Sequence, residues 1–92
     1  MKYNLKIDEQ ARKDLQNSSQ YYKEILTPLS EKFKLELRKE FKQIKRNPLV
    51  FQERYKGVRI AFLKKFPFGV HFKVFDNQIE VIKILHTKQN LK

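Results

Sequence analysis

Val58-Arg59-Ile60-Ala61-Phe62-Leu63, Val70-His71-Phe72-Lys73-Val74-Phe75 and Ile79-Glu80-Val81-Ile82-Lys83-Ile84-Leu85 are three runs whose apolar residues recur with a period of two, the repeat of a β-strand. Between them, Phe66-Pro67-Phe68-Gly69 and Asp76-Asn77-Gln78 carry turn chemistry, so the segment predicts three consecutive strands joined by hairpins. The last run is apolar on both faces, Ile82 and Ile84 on one side and Ile79, Val81 and Leu85 with Lys83 on the other. That pattern suits an interior strand rather than an edge.

Upstream the period changes. Tyr3, Leu5 and Ile7 alternate with polar neighbours and predict a first strand. Asp8 then offers an acceptor at a helix N-cap, and Glu9 complements the dipole in the first turn. Ala11, Leu15, Tyr22 and Leu26, with Ser18 or Ser19 filling the gap, form a thin apolar stripe to about Ile25, where Pro28 marks the end. Leu29, Phe33, Leu37, Phe41 and Ile44 form a second stripe, and the short Thr-Pro-Leu-Ser connection at 27–30 makes the two helices an antiparallel hairpin. Asn47-Pro48 stops the second helix, because a residue preceding proline is pushed out of the helical region. A connection leads to Lys56-Gly57.

The predicted order is strand, helix, helix, strand, strand, strand. Two helices with one apolar stripe each cover one face of a sheet, which gives an α+β two-layer sandwich with a helix hairpin on a mainly antiparallel sheet. A chain of 92 residues buries only about 60–65% of its unfolded surface, so residues 1–92 are expected to form a single domain. Eight Phe and four Tyr supply much of the core. There is no cysteine, hence no disulfide or thiolate chemistry, and two histidines give little basis for a zinc centre. No metal or cofactor is expected. The apolar runs are far shorter than the roughly 18–20 residues of a membrane span, and no signal-peptide pattern opens the chain. The expectation is an unprocessed cytoplasmic protein that does not engage a membrane.

Lys and Arg number 21 and Asp and Glu 10, a net charge of +11. Such an excess repels itself and attracts polyanions or acidic proteins. Residues 47–92 hold nine basic groups and three acidic ones, so the strand-rich half lacks internal partners for its cations. With Val58, Ile60, Phe62, Val70, Phe72 and Val74 assigned to the helix side, the open face collects Arg59, Lys65, His71, Lys73 and Lys83. A slip of one residue inverts that assignment. On such a face Arg59 would hold a phosphate, His71 or Lys73 would move a proton, and Lys83 would stabilise developing charge. These four are the catalytic candidates. His86 closes the last strand at the sheet margin.

Several local motifs, taken in order, resemble the RelE/ParE toxin superfamily of bacterial type II toxin–antitoxin systems, which includes plasmid-stabilisation proteins. The motifs are Ala11…Asp14-Leu15…Tyr22, Ile44…Asn47-Pro48…Phe51, Arg59 followed by Phe66-Pro67-Phe68-Gly69-Val70, and Ile82…Ile84…His86. The resemblance implies a growth-inhibiting toxin neutralised by an acidic antitoxin encoded beside it. Its target-binding residues would be Arg59, Lys65, Lys73, Lys83, His86 and Lys88. RelE-like members cleave messenger RNA on the ribosome, and ParE-like members inhibit DNA gyrase. Here Gln89 stands where the superfamily usually has an arginine three positions after the terminal-strand histidine, and no tyrosine follows Tyr55. The resemblance therefore leans toward the ParE-like, non-enzymatic branch. A metal-independent mRNA endoribonuclease is the first alternative, and a non-toxic basic nucleic-acid-binding module is the second. Nothing in the sequence calls for a homodimer.

Overall fold

The computed structural model describes residues 2–87. Strand β1 (Asn4–Ile7) leads to helices α1 (Glu9–Ile25) and α2 (Thr27–Arg46), then to a short 3-10 turn at Pro48–Val50 and strands β2 (Glu53–Tyr55), β3 (Val58–Phe62), β4 (Phe68–Phe75) and β5 (Gln78–His86). The strands form one sheet in the order β1-β5-β4-β3-β2. Among the described residues only β1 runs parallel to its neighbour, β5; the helix hairpin and strands β2 to β4 lie between the two in the chain, far more than the crossover that a parallel pair requires. The apolar run of β5 lies between β1 and β4, as its two-faced hydrophobicity predicts.

Both helices lie on one face of this sheet. Ala11 of α1 and Phe33, Leu37 and Ile44 of α2 are buried against Phe68, Val70, Phe72, Ile79, Val81 and Ile84. Tyr22, Phe33, Phe66 and Phe68 pack at ring-centroid distances of 5.0–6.1 Å in edge-on and tilted arrangements, each worth about 0.5–1.5 kcal/mol beyond burial. Ser19 fits inside this layer because its hydroxyl donates to Leu15 O at 2.8 Å within its own helix.

The helix junction is tighter than the sequence suggests. A single extended residue, Leu26 (φ −165°), separates the helices, and Thr27-Pro28 begins α2 instead of forming a loop. Proline suits the first turn, where its missing N–H has no intrahelical partner. Leu26 itself is exposed, so the α1 stripe ends at Tyr22. Asp8 occupies the N-cap position without a side-chain capping bond.

Two strand assignments need correction. In β3, Arg59 pairs with Phe72 and Ala61 with Val70, so Arg59, Ala61 and Leu63 share the helix-facing side, while Val58, Ile60 and Phe62 lie on the other. The strand is apolar in both phases, and the register with β4 decides between them. In β5, Phe72 pairs with Val81 but His71 with Lys83, leaving Ile82 as the extra residue of a β-bulge. The bulge lets Ile79, Val81 and Ile84 all face the core, where unbroken alternation would have turned Ile84 outward. The connection after α2, expected only as a link to Lys56-Gly57, also contains strand β2.

Candidate functional site

The phase of β4 is set by Phe68, Val70 and Phe72, all in the core. Gly69, His71, Lys73 and Phe75 therefore face away from the helices. Lys83 opposes His71, and Glu80 opposes Lys73. Three of the four catalytic candidates, His71, Lys73 and Lys83, thus share the uncovered face. Arg59 does not. On the helix-facing side of β3, its Nη1 donates to Phe51 O at 2.6 Å, and the Phe51 ring packs edge-on against Phe72 at 5.7 Å. The guanidinium fastens the segment after α2 to the sheet.

The uncovered face is not the open cationic surface that the sequence suggests. His71 is only 2% exposed, and Tyr55 of β2 lies over it with its hydroxyl 2.8 Å from His71 Nδ1. In the tautomer that carries its proton on Nε2, the phenol donates to Nδ1. Burial pushes the Tyr55 phenol above its ordinary value. The Glu80 carboxyl is also raised, first by the side-chain hydrogen bond and charge of Asp8 and then by burial, against the lowering effect of Lys6 and Lys73. Acid and base are therefore mixed at the Lys73 end. Arg54 lies 5.4 Å over the Phe62 ring, a cation–π contact at the β2–β3 margin.

The remaining target-binding candidates are dispersed. Lys65 is exposed in the β3–β4 loop, and its backbone N–H, together with that of Lys64, donates to Glu36 Oε2 at 3.0 and 2.6 Å. The His86 ring packs edge-on against Phe68 at 5.2 Å, in a cleft of about 580 Å³ between α1 and β5. Lys88 and Gln89 lie outside the described residues. The expected single basic cluster is replaced by three locations, because the β3 register takes Arg59 to the other side and the Phe68 phase takes His86 with it.

Tyr55, Glu36 and Asp14 are polar contributors that the sequence reading missed. Asp14 accepts the backbone N–H of Ile84 at 3.0 Å, tying α1 to β5 beyond the reach of β1. Tyr55 and Glu36 stand in no motif, and the motif that contains Asp14 gives no sign of its partner in β5, since each of the three acts on a group remote in sequence.

Phosphodiester cleavage requires a proton-transfer group and a charge stabiliser converging on one reacting phosphate. Among the described residues, Arg59 and His71 lie on opposite sides of the sheet, and His71 is roofed by Tyr55.

A family model described as the ParE toxin of the type II toxin–antitoxin system parDE matches residues 5–91. Among solved structures, a chain of the chromosomal ParDE toxin–antitoxin system from P. aeruginosa superposes with a TM-score of 0.79 at 23% identity, covering 91% of this chain and 95% of the other. A chain of the RelBE2 toxin–antitoxin complex from Mycobacterium tuberculosis gives 0.59 at 17% identity, covering 94% and 99%. Both likenesses concern the fold. No curated protein sequence matches the chain significantly.

Proposed function

Because the chain belongs to the ParE toxin family of type II toxin–antitoxin systems, we propose that it arrests growth by binding DNA gyrase and is neutralised by an acidic antitoxin encoded beside it. The observation that carries the reading is the separation of Arg59 from His71, Lys73 and Lys83 by the β3 register. A surface so divided is suited to holding a macromolecule at several points and poorly suited to focusing acid–base chemistry on one bond. The +11 charge steers the chain toward an acidic partner and speeds the encounter. Among the described residues no helix is long and apolar enough to cross a membrane.

The test is a supercoiling assay with the purified chain alongside mapping of transcript ends after its induction. Inhibition of gyrase at concentrations that stop growth, without new 5′ ends inside coding regions, is the expected result. Growth arrest with new 5′ ends and unimpaired supercoiling would transfer the chain to the RNA-cleaving reading.

A further inference from the structure

The outer face of α2 carries a concentration of charge that the gyrase reading does not use. From Arg38 to Arg46 the exposed residues are Arg38, Lys39, Lys42, Lys45, Arg46 and the neutral Gln43. At 3.6 residues per turn the five cations occupy about a third of the helix circumference, on the arc turned away from the buried Leu37 and Ile44. Lys42 stands at their centre. Its neighbours three and four positions away in both directions are Arg38, Lys39, Lys45 and Arg46, and these are the spacings at which side chains adjoin on a helix.

Like charges so placed repel one another and weaken the helix that carries them. The acidic residues of α2 are Glu31, Glu36 and Glu40, and they are spent elsewhere. Glu36 Oε2 accepts the backbone N–H groups of Lys64 and Lys65. The half-buried Glu40 carboxyl is raised by burial, and the lysine that acts against this is Lys64 of the β3–β4 loop. Glu31 stands seven positions before Arg38. Lys45 and Arg46 complement the dipole in the last turn, but Arg38, Lys39 and Lys42 precede that turn. An anionic partner relieves the repulsion, and the surface says which kind. An acidic peptide or an anionic lipid surface binds through apolar contact as well as charge, and the stretch from Arg38 to Arg46 exposes no apolar side chain. A phosphate backbone is held by charge alone. Arg38 to Arg46 rises about 12 Å along the helix axis, a length over which a DNA duplex carries about seven phosphates.

We propose that the face of α2 centred on Lys42 binds the phosphate backbone of duplex DNA without reading its sequence. The proposal rests on the gyrase reading for the choice of polyphosphate, since gyrase acts on duplex DNA, and adds a contact that the chain itself makes with the nucleic acid its target holds.

The experiment titrates a fluorescently labelled DNA duplex of arbitrary sequence with the full chain at several salt concentrations and reads anisotropy. Log affinity is expected to fall with log salt at a slope of about −4, since each of five phosphate contacts contributes about −0.9. Arg38→Gln combined with Lys42→Gln is expected to make that slope shallower by about 2 and to weaken binding about tenfold or more. Glutamine has nearly the helix propensity of the residues it replaces, and thermal melts verify that the variant folds. Lys2→Gln combined with Lys23→Gln removes the same net charge from exposed positions elsewhere and should change the slope by less than about 0.5. Duplex binding that is absent, or that falls equally in the two double variants, overturns the α2 face as a DNA site while a supercoiling assay on the same preparation reports separately on gyrase. An RNA duplex, or vesicles of phosphatidylglycerol, bound about tenfold more tightly than DNA through Arg38 and Lys42 would give the face to another partner and also overturn the proposal. Duplex binding as expected beside unimpaired supercoiling supports the DNA contact and removes the gyrase reading.

Discussion

Gly69 occupies a point where a methyl group has no room. A Cβ there would stand 2.8 Å from Ile60 Cγ2 and 3.3 Å from the Phe62 ring. Glycine at this site lets the β3–β4 hairpin close with bulky residues on the uncovered face of β3. Gly69→Ala is expected to lower unfolding stability by about 1–3 kcal/mol, measured by urea denaturation. Glu80 illustrates a different residue-scale cost. Its carboxyl is raised by Asp8, so the folded state holds a proton at pH values where the unfolded chain, near the ordinary 4.5, has released it. The associated stability is fully present below about 4.5 and is lost as pH rises through the folded value. Glu80→Gln should therefore melt at a higher temperature than the parent at pH 7, with the difference closing as pH falls toward 4.5. A thermal melt series across that range checks both the sign and the window.

Each element boundary has an identifiable physical cause. The helix hairpin turns on Leu26 alone because Leu26 N–H still bonds to Tyr22 O and Leu26 O already accepts Leu29 N–H, both at 2.9 Å, leaving no loop to add. The β2–β3 turn places Lys56 and Gly57 at φ +42° and +78°, the left-handed pair of a tight two-residue hairpin. The β3–β4 loop depends on Glu36, 28 residues before Lys64. Glu36→Ala strips the acceptor from two N–H groups and is expected to cost about 1–3 kcal/mol. Amide exchange should rise at Lys64 and Lys65 well before it rises in β4; equal protection in the variant would show that water replaces the carboxylate without loss. The strands and helices were legible from their periods, but the faces of β3 and β5 were not. β3 is apolar in both phases, and a bulge at Ile82 leaves no mark on a run of aliphatic residues.

At the scale of the whole molecule, the cations are spread over faces that point in different directions. A toxin that works by surface recognition loses activity gradually when single cations are removed, whereas removing a general acid or base costs about 10²–10⁴ in rate. On the proposed gyrase reading, Lys73→Ala and Lys83→Ala are each expected to weaken supercoiling inhibition by a few-fold, and together by roughly the product, since surface charges that do not touch combine nearly additively. Abolition of activity by either single change would point instead to a chemical role for that lysine.

The order of elements apart from β2, the two-layer class, the interior place of β5 and the family resemblance were all contained in the sequence, because apolar periodicity, a Pro-defined helix stop and the Phe-Pro-Phe-Gly hairpin are local properties of the chain. Which side of the sheet receives Arg59, what covers His71, and what holds the β3–β4 loop to α2 were decided only in three dimensions. Those outcomes depend on strand register, a bulge, and hydrogen bonds between residues as far apart as Asp14 and Ile84, and a register is an agreement between two strands that neither one encodes alone.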